Sequence, residues 1–322
     1  MEYKKLGRTG LNVSRLCLGT MNFGSGTSKE ESFKIMDAAL DAGINFFDTA
    51  NNYGFLTNDQ GITEKVIGEW FAQGGNRREK VVLATKAHED MFNPNDGPNS
   101  APGLSAYKLR RHFEESLKRL QTDHVELFYM HHIDRSVQPD EMWAGMERLF
   151  NQGLIDYVGT SNFPAWQLAR YQGEAKMRNF MGSVVEQDRY NLMERRPEME
   201  LLPAVEGLGL GFTPWSPMNG GLLAGPEALN DPLVRGGLDE NMKKQVEAYN
   251  KLCVDSGIKG SHMALAWLLA QDRVTAPIVG PGNLVQFEDT LKAVEIKLSQ
   301  DILDELDRIF PGPGESPENY GW

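Results

Sequence analysis

The residues Phe46-Phe47-Asp48-Thr49-Ala50-Asn51-Asn52-Tyr53-Gly54 introduce a pattern that recurs along this chain. An apolar run from Ile44 to Phe47 ends abruptly at Asp48, and a polar loop that carries Tyr53 follows. A short apolar run bounded in this way predicts a buried strand. Such a strand would deliver a carboxylate and a phenol to its C-terminal end, the end at which parallel barrels place their reactive groups.

Two further segments end in the same manner. The apolar run Val81–Thr85 is followed by Lys86, and the run Val125–Met130 is followed by His131. If these strands are parallel neighbours, their last residues meet at one edge of the sheet. The sequence therefore predicts that a carboxylate, a phenol, an ammonium group and an imidazole lie close together, a set that can tune a proton donor.

Strand and helix patterns alternate from residue 16 onwards. Eight short strands, each followed by helix within about 280 residues, favour a closed (β/α)8 TIM barrel of α/β class. The predicted strands are 16–18, 44–47, 81–84, 124–130, 155–159, 183–187, 210–213 and 276–279. The predicted helices are 29–42, 62–72, 105–119, 139–151, 164–178, 197–207, 239–256, 261–270 and 283–294.

The alternative fold is a doubly wound open sheet. That fold predicts a Gly-x-Gly-x-x-Gly turn after the first strand, and the sequence lacks this turn. Gly7-Arg8-Thr9-Gly10, between two short polar-apolar segments, predicts an N-terminal β-hairpin. Because no linker composition divides the chain, we expect residues 1–322 to form a single domain.

Composition excludes several classes of function. The 322 residues carry a net charge of −12, which disfavours sequence-independent nucleic-acid binding. No apolar run approaches the roughly 20 residues that span a membrane. The N-terminal segment Met1–Lys5 lacks the apolar centre of an export signal, and Cys17 and Cys253 are the only cysteines. The sequence thus predicts a cytoplasmic protein with neither a membrane nor a nucleic acid as partner.

The four residue types at the strand ends, in this order, resemble the catalytic residues of the aldo-keto reductase family. The resemblance runs from Gly7 to about Leu291 and is greater to bacterial oxidoreductases and potassium-channel β subunits than to mammalian aldose reductases. It implies four catalytic residues, which we call the tetrad: Asp48, Tyr53, Lys86 and His131. It also implies the barrel fold, a nicotinamide cofactor and a small-molecule carbonyl substrate.

Each tetrad residue has an expected role in carbonyl reduction. Tyr53 would donate the proton, and the neighbouring Lys86 ammonium would lower the phenol pKa from its usual value of about 10. Asp48 would keep Lys86 charged and oriented. His131 would donate a hydrogen bond to the carbonyl oxygen.

His132 is the rival of His131 for this role. We expect strand alternation to turn His132 to the opposite side. The same argument disfavours a zinc site built from His131, His132 and a carboxylate, so no metal is predicted.

The resemblance also implies the residues that contact the cofactor. Ser161, Asn162 and Gln187 would bind the nicotinamide carboxamide, and Trp215 would stack on the ring. Gly280-Pro281-Gly282-Asn283, together with Gln286, would hold the adenosine half, and Gly19 and Thr20 would lie beside the nicotinamide ribose. The full predicted set is Gly19, Thr20, Met21, Asp48, Ser161, Asn162, Gln187, Trp215, Ser216, Pro217, Gly220, Leu222, Gly280, Gly282 and Gln286.

The segment 280–286 departs from the family in lacking a basic residue. Gly282 stands where many bacterial relatives carry arginine to meet the 2′-phosphate of NADP(H). Asn283, Gln286 and free N–H groups at a helix start retain some attraction for an anion. The sequence therefore favours NADP(H) over NAD(H), with weak discrimination. Arg235 in the 217–237 loop is a further candidate for the phosphate.

Three segments are too long for simple connections: Ala87–Ser105, Pro217–Gly237 and Phe310–Trp322. The first two follow strands, so they belong on the face that carries the tetrad, where binding loops cluster. We expect the substrate pocket to be lined by Phe23, Phe55, Met91, Phe92 and Trp322.

The sequence as a whole predicts an NAD(P)H-dependent reductase of aldehydes or ketones. One alternative is a nicotinamide-binding regulatory subunit with residual turnover, which would bind the cofactor tightly and react slowly. Another is a barrel lyase or hydrolase, which would bind no nicotinamide. Neither the natural substrate nor the oligomeric state follows from the sequence.

Overall fold

The computed structural model describes residues 1–230 and 237–321, apart from the side chain of Leu56. The chain begins with the predicted hairpin, in which β1 (Tyr3–Lys5) pairs antiparallel with β2 (Asn12–Ser14). Within the described parts, we find no helix that is both long and apolar enough to cross a membrane.

Eight parallel strands form the centre of the molecule. Their order around the sheet is β10-β3-β4-β5-β6-β7-β8-β9. Backbone hydrogen bonds from Thr275 N to Phe212 O (2.7 Å) and from Ile278 N to Pro214 O (2.9 Å) join the two outer strands. The sheet therefore closes on itself, and the predicted (β/α)8 barrel is confirmed. The strands are β3 (Cys17–Gly19), β4 (Phe46–Asp48), β5 (Val82–Ala87), β6 (Val125–Met130), β7 (Ile155–Ser161), β8 (Ser183–Gln187), β9 (Gly211–Phe212) and β10 (Ile278–Val279).

Helices surround the barrel, and several begin at a side chain that caps the free backbone N–H groups. Ser105 Oγ accepts from Lys108 N at 3.2 Å, and Asp239 Oδ1 accepts from Met242 N at 2.8 Å. The helices are α1 (Lys29–Asp41), α2 (Ile62–Phe71), α3 (Ala106–Leu120), α4 (Pro139–Asn151), α5 (Ala165–Met177), α6 (Leu201–Gly207), α7 (Glu240–Ser256), α8 (Gly260–Ala270), α9 (Leu284–Leu291), α10 (Gln300–Ile309) and α11 (Glu318–Gly321). Short 3₁₀ turns cover Phe55–Thr57, Arg78–Lys80, Pro94–Asn99, Arg196–Glu198, Pro226–Asn230 and Lys292–Glu295.

The last two helices have no counterpart among the predicted ones. α10 places Leu306 and Ile309 in the core, and Phe310 is buried directly after it. Farther along, Ser316 N donates to Met199 O at 2.9 Å. These contacts hold the C-terminal region against the barrel as far as the described residues extend.

Both faces of the barrel strands are buried, which explains their continuous apolar runs. One cluster, with Cys17, Phe46 and Leu127, fills the barrel, and the hairpin residues Leu6 and Val13 join it from the N-terminal end. A second, larger cluster lies between the strands and the helices, and its members alternate along the strands with those of the first. With both faces packed, the carboxyl ends of the strands are where polar side chains can converge.

Candidate active site

Lys86 lies at the centre of the polar groups that converge there. It belongs to β5, and its side chain has no exposed surface. Its ammonium group donates to Asp48 Oδ1, to Thr49 O at 2.8 Å and to Tyr53 Oη at 3.0 Å. Three acceptors match the three N–H bonds of an ammonium group, so the buried charge is fully hydrogen-bonded.

The phenol of Tyr53 departs from the sequence expectation. Burial raises the pKa of Tyr53 above its usual value, and the adjacent Lys86 charge offsets only part of that rise. Burial also acts to lower the pKa of Lys86, but Asp48 and Tyr53 together outweigh it, so this pKa is raised. Lys86 acts to lower the phenol pKa, as expected, but the net pKa is still raised, because removal from water costs the phenolate more than one cation restores. Tyr53 is a neutral phenol held by a permanent ammonium group.

His131 lies next to the phenol. The centroids of the two rings are 6.0 Å apart, in an edge-to-face arrangement. Burial, followed by repulsion from Lys86, places the pKa of His131 well below its usual value. The ring is therefore a neutral imidazole, and its Nδ1 is buried with no hydrogen-bond partner among the described residues.

The expectation for His132 is wrong in its geometry. The rings of His131 and His132 stack, with centroids 4.8 Å apart and 15° between the planes. Strand alternation does not separate them because β6 ends at Met130, one residue before the pair. His132 nevertheless lies farther out, and its Nε2 is 3.5 Å from Glu89 Oε1. In the described part of the chain, no cluster of His, Cys, Asp or Glu has the arrangement of a metal site.

A second polar group, which was not predicted from the sequence, lies beyond the ends of β5 and β6. His88 Nδ1 lies 3.0 Å from Glu89 Oε1, and the rings of His88 and His132 are 5.3 Å apart. Hydrogen bonding from His88 lowers the pKa of Glu89. The signal was present in the sequence, because His88 and Glu89 come directly after the last residue of β5, Ala87.

Residues predicted to bind the nicotinamide are hydrogen-bonded to the tetrad or its backbone. Gln187 Nε2 donates to Asp48 Oδ2 at 2.9 Å. Asn162, in the left-handed backbone region at φ 59°, donates from Nδ2 to His131 O at 3.0 Å and accepts from Trp215 Nε1 at 3.2 Å. These contacts fix the Trp215 indole relative to the reactive side chains.

The end of β3, the strand next to β4, places the predicted cofactor residues Gly19 and Thr20 beside Asp48. Thr20 Oγ1 donates to Asp48 O at 2.9 Å. A Cβ on Gly19 would lie 2.7 Å from Ile278 Cγ2, so the chain requires glycine there. Ser161 is buried at the end of β7, whereas Met21 is 43% exposed.

The loop after β9 is a tight turn that is rich in left-handed backbone angles. Ser216, Asn219, Gly220 and Gly221 all have left-handed φ values, and Ser216 Oγ accepts from Gly220 N at 3.2 Å. The N–H groups of Asn219 and Gly221 donate to Ser216 O and Met218 O, both at 3.0 Å, so the turn is closed by its own hydrogen bonds. Pro217 is buried in the same loop.

A cavity of about 970 Å³ lies beside this loop. Of the predicted cofactor residues, Gly220, Leu222, Gly280 and Gln286 line it. Gly282 is adjacent, and its N–H donates to Gln286 Oε1 at 2.8 Å. Four of the predicted cofactor residues thus share one cavity, which fits the predicted binding of the adenosine half of a cofactor. Arg235 lies outside the described residues.

The predicted substrate pocket is only partly assembled. Phe55 and Phe92 are 43% and 69% exposed, as residues of an open binding surface would be. Met91 lines a separate cavity of about 350 Å³ that it shares with His112. The prediction for Phe23 is corrected, because its side chain is wholly buried in the core between strands and helices. Trp322 lies outside the described residues.

A closed parallel barrel with polar groups converging at the carboxyl ends of its strands has the architecture of a (β/α)8 enzyme. Residues 15–310 match the sequence model of the Aldo/keto reductase family, and the chain belongs to this family. It is therefore a member of a family of oxidoreductases that act on carbonyl compounds.

Three relatives illustrate the range of this family. The chain is 56% identical to the uncharacterized oxidoreductase YrpG of Bacillus subtilis, over the full length of both proteins. It is 31% identical to a probable voltage-gated potassium channel subunit beta of Arabidopsis thaliana, over 99% of this chain and 100% of the relative. It is 29% identical to norsolorinic acid reductase A of Aspergillus parasiticus, over 97% of this chain and 81% of the relative.

Proposed function

We propose that this protein reduces an aldehyde or ketone to the alcohol with a reduced nicotinamide cofactor, and that Tyr53 donates the proton. The observation that carries the proposal is the hydrogen bond from Lys86 Nζ to Tyr53 Oη at 3.0 Å. That bond forms within an ion pair between Lys86 and Asp48 that is almost completely buried. A phenol held by a buried cation is equipped to release a proton and to stabilise the resulting anion.

The hydride must come from outside the protein chain. A reduced nicotinamide, when bound beside Asn162 and Gln187, would supply it from C4, because no side chain is a hydride donor. The carbonyl carbon receives the hydride with its electron pair, and the carbonyl oxygen receives the proton of Tyr53. Solvent then returns a proton to the phenolate, so the protein ends in its starting state.

The raised pKa of Tyr53 defines what Lys86 contributes. Tyr53 keeps its proton at neutral pH, so Lys86 does not create a pool of phenolate before the reaction. Its charge instead stabilises the phenolate as that anion forms in the transition state, when a cation at 3.0 Å has most effect. Neutral His131 can donate one hydrogen bond to the carbonyl oxygen while that oxygen becomes negative.

We propose further that NADP(H) is favoured over NAD(H), with weak discrimination. The preference is the one that the family resemblance implies, and the absence of Arg and Lys from residues 280–286 supports the weak discrimination. The start of α9 adds little attraction for an anion, because Glu31 Oε1 accepts from Leu284 N at 2.8 Å and Asn283 Oδ1 accepts from Gln286 N at 2.9 Å. The substrate is a small carbonyl compound that reaches the tetrad past Phe55 and Phe92.

The test is the substitution of Tyr53 by Phe, which removes only the hydroxyl group. General acid catalysis contributes about 10²- to 10⁴-fold, so kcat with a small aldehyde and NADPH should fall by that factor. The dissociation constant of NADPH, measured by fluorescence titration, should remain close to wild type. A variant that keeps more than about half of the wild-type kcat would remove Tyr53 from the mechanism if chemistry limits the rate.

A second function is favoured by the match to a probable channel subunit beta. A cofactor-binding regulatory subunit would bind NADPH tightly and reduce every tested aldehyde slowly. Turnover numbers of the wild-type protein across a carbonyl panel separate the two functions. Typical enzymes turn over at about 1–10³ per second, and values far below this range throughout the panel would favour the regulatory subunit.

A further inference from the structure

Three buried side chains form a hydrogen-bonded row from the long loop after β5 to the loop that carries Tyr53. Asp96 lies in the 3₁₀ turn Pro94–Asn99, His112 lies on α3, and Asn51 lies two residues before Tyr53. His112 Nε2 is 3.2 Å from Asp96 Oδ2, and His112 Nδ1 is 3.2 Å from Asn51 Nδ2. Each of the three residues is at most 5% exposed. We call Asp96, His112 and Asn51 the anchoring triad.

The chemistry of the three groups fixes the direction of both hydrogen bonds. A carboxylate only accepts, so His112 Nε2 carries the hydrogen that Asp96 receives. Burial and the Lys108 charge lower the pKa of His112 more than Asp96 raises it, so the ring is neutral and its Nδ1 accepts from Asn51. Burial acts to raise the pKa of Asp96, but hydrogen bonds from Arg111 and His112 outweigh it, so this pKa is lowered. The carboxylate therefore fixes which nitrogen of the imidazole faces Asn51.

Asn51 joins the anchoring triad to the tetrad. Its backbone N–H donates to Lys86 O at 3.1 Å, and Tyr53 N donates to Ala50 O at 3.3 Å, which closes a turn around Asn51. Among the described residues, His112 is the only hydrogen-bond partner of the Asn51 side chain, because Oδ1 has none. The orientation of Asn51 within the turn is thus set by His112.

We propose that Asp96 and His112 are positioning residues for the proton donor. They act through Asn51, which holds the turn that presents the Tyr53 phenol to Lys86. This inference rests on the proposed role of Tyr53. Lys86 Nζ is 3.0 Å from Tyr53 Oη, and its charge stabilises a forming phenolate less as that distance grows. Displacement of a reacting group by about 1 Å can cost about 100-fold in rate, so a loosened turn should slow the reaction.

The test compares two substitutions of His112 in the full-length protein. His112→Gln keeps one donor and one acceptor on its side chain, whereas His112→Leu keeps neither. With a small aldehyde and NADPH, His112→Leu should lose about 10- to 100-fold in kcat, while the dissociation constant of NADPH stays within a few-fold of wild type. His112→Gln should recover most of that loss. A kcat of His112→Leu equal to that of wild type would overturn the proposal.

Asn45→Leu is the matched control for a general loss of stability. Asn45 directly precedes β4, at the opposite end of that strand from Asp48. Its Oδ1 accepts from Ser14 N at 2.8 Å and its Nδ2 donates to Asn12 O at 3.1 Å, so this variant also loses side-chain hydrogen bonds. It should keep the wild-type kcat. An equal fall of kcat in Asn45→Leu and His112→Leu would show that destabilisation, rather than positioning, slows the reaction.

A double-mutant cycle tests whether Asp96 acts through His112. Asp96→Ala alone should lower kcat, because His112 loses the acceptor that fixes its tautomer. Combined with His112→Leu, it should lower kcat no further, since residues that act as one unit are not additive. Additive losses would show that Asp96 acts independently and would remove it from the anchoring triad.

A second readout does not depend on turnover. The ¹³C resonance of Tyr53 Cζ, assigned by its loss in Tyr53→Phe, reports the surroundings of the phenol oxygen. It should shift in His112→Leu and Asp96→Ala and stay in place in Asn45→Leu. An unmoved resonance in both triad variants would overturn the positioning role, and the reductase proposal would stand if wild type reduces aldehydes. The expected shifts in a protein that reduces no carbonyl compound would support the positioning of Tyr53 and refute the proposed function.

Discussion

Replacement of Lys86 by Met tests the buried ion pair at the centre of the site. The substitution keeps an unbranched side chain of similar length and removes the ammonium group, which leaves the Asp48 carboxylate without its cation. Breaking a buried pair by removing one partner typically costs about 3–5 kcal/mol. We expect Lys86→Met to lose a large fraction of its stability and nearly all of its reductase activity.

The free energy of adding a proton to the Asp48 carboxylate sets an upper bound on the loss of stability in this variant. The variant can neutralise the orphaned carboxylate by binding a proton, and for an ordinary aspartate this costs about 1.4 kcal/mol for each pH unit above 3.9. The bound is about 4 kcal/mol at about pH 7 and about 1.5 kcal/mol at about pH 5. The destabilisation relative to wild type should therefore shrink as the pH falls, because protons replace the missing ammonium charge.

The assay is urea unfolding of wild type and variant at the two pH values, with equal slopes required before midpoints are compared. A second variant, Asp48→Asn combined with Lys86→Met, carries no charge at either position. Its amide can still accept from Gln187 Nε2, so the double variant should recover at least half of the lost stability. It should remain inactive, because the phenol still lacks its cation.

Two results would refute this reasoning. A loss of less than about 1 kcal/mol in Lys86→Met, or the same loss at both pH values, would mean that water or another group compensates Asp48. A double variant as unstable as the single variant would mean that the lost hydrogen bond to Thr49 O, rather than the orphaned charge, dominates the cost.

Three further predictions concern the cofactor, the imidazole and the substrate. Gly282→Arg should raise the ratio of kcat/KM with NADPH to that with NADH by about 10- to 100-fold. Among the described residues, a Cβ at Gly282 would approach only Gln286 Oε1, at 3.2 Å. An unchanged ratio in a folded variant would therefore contradict the placement of the 2′-phosphate beside Gly282. Because the pKa of His131 is lowered, kcat/KM should stay level as the pH falls through about 6.5, and an inflection there would show an ordinary histidine. Phe55→Ala and Phe92→Ala should change the ranking of aldehydes in a panel while the dissociation constant of NADPH stays the same, and an unchanged ranking in both would exclude them from the pocket.

The sequence predicted the barrel because its decisive signals are local. Each strand is a short apolar run that is buried on both faces, and each run is followed by a segment of helical period, so the parallel arrangement follows from the repeat. The grouping of Asp48, Tyr53, Lys86 and His131 was predictable for the same reason, since parallel strands place their carboxyl ends on one face. The structure brings these four side chains together.

What the sequence left open depends on distances and burial between residues far apart in the chain. Whether the pKa of Tyr53 rises or falls is set by the balance between burial and the charge of Lys86, and burial prevails. Phe23 follows a strand end and was expected in the pocket, yet its side chain packs into the core. His132 stacks on His131 because the strand ends one residue earlier. Lys259, the residue before α8, meets Asp289 in the second turn of α9, and no local pattern encodes that approach.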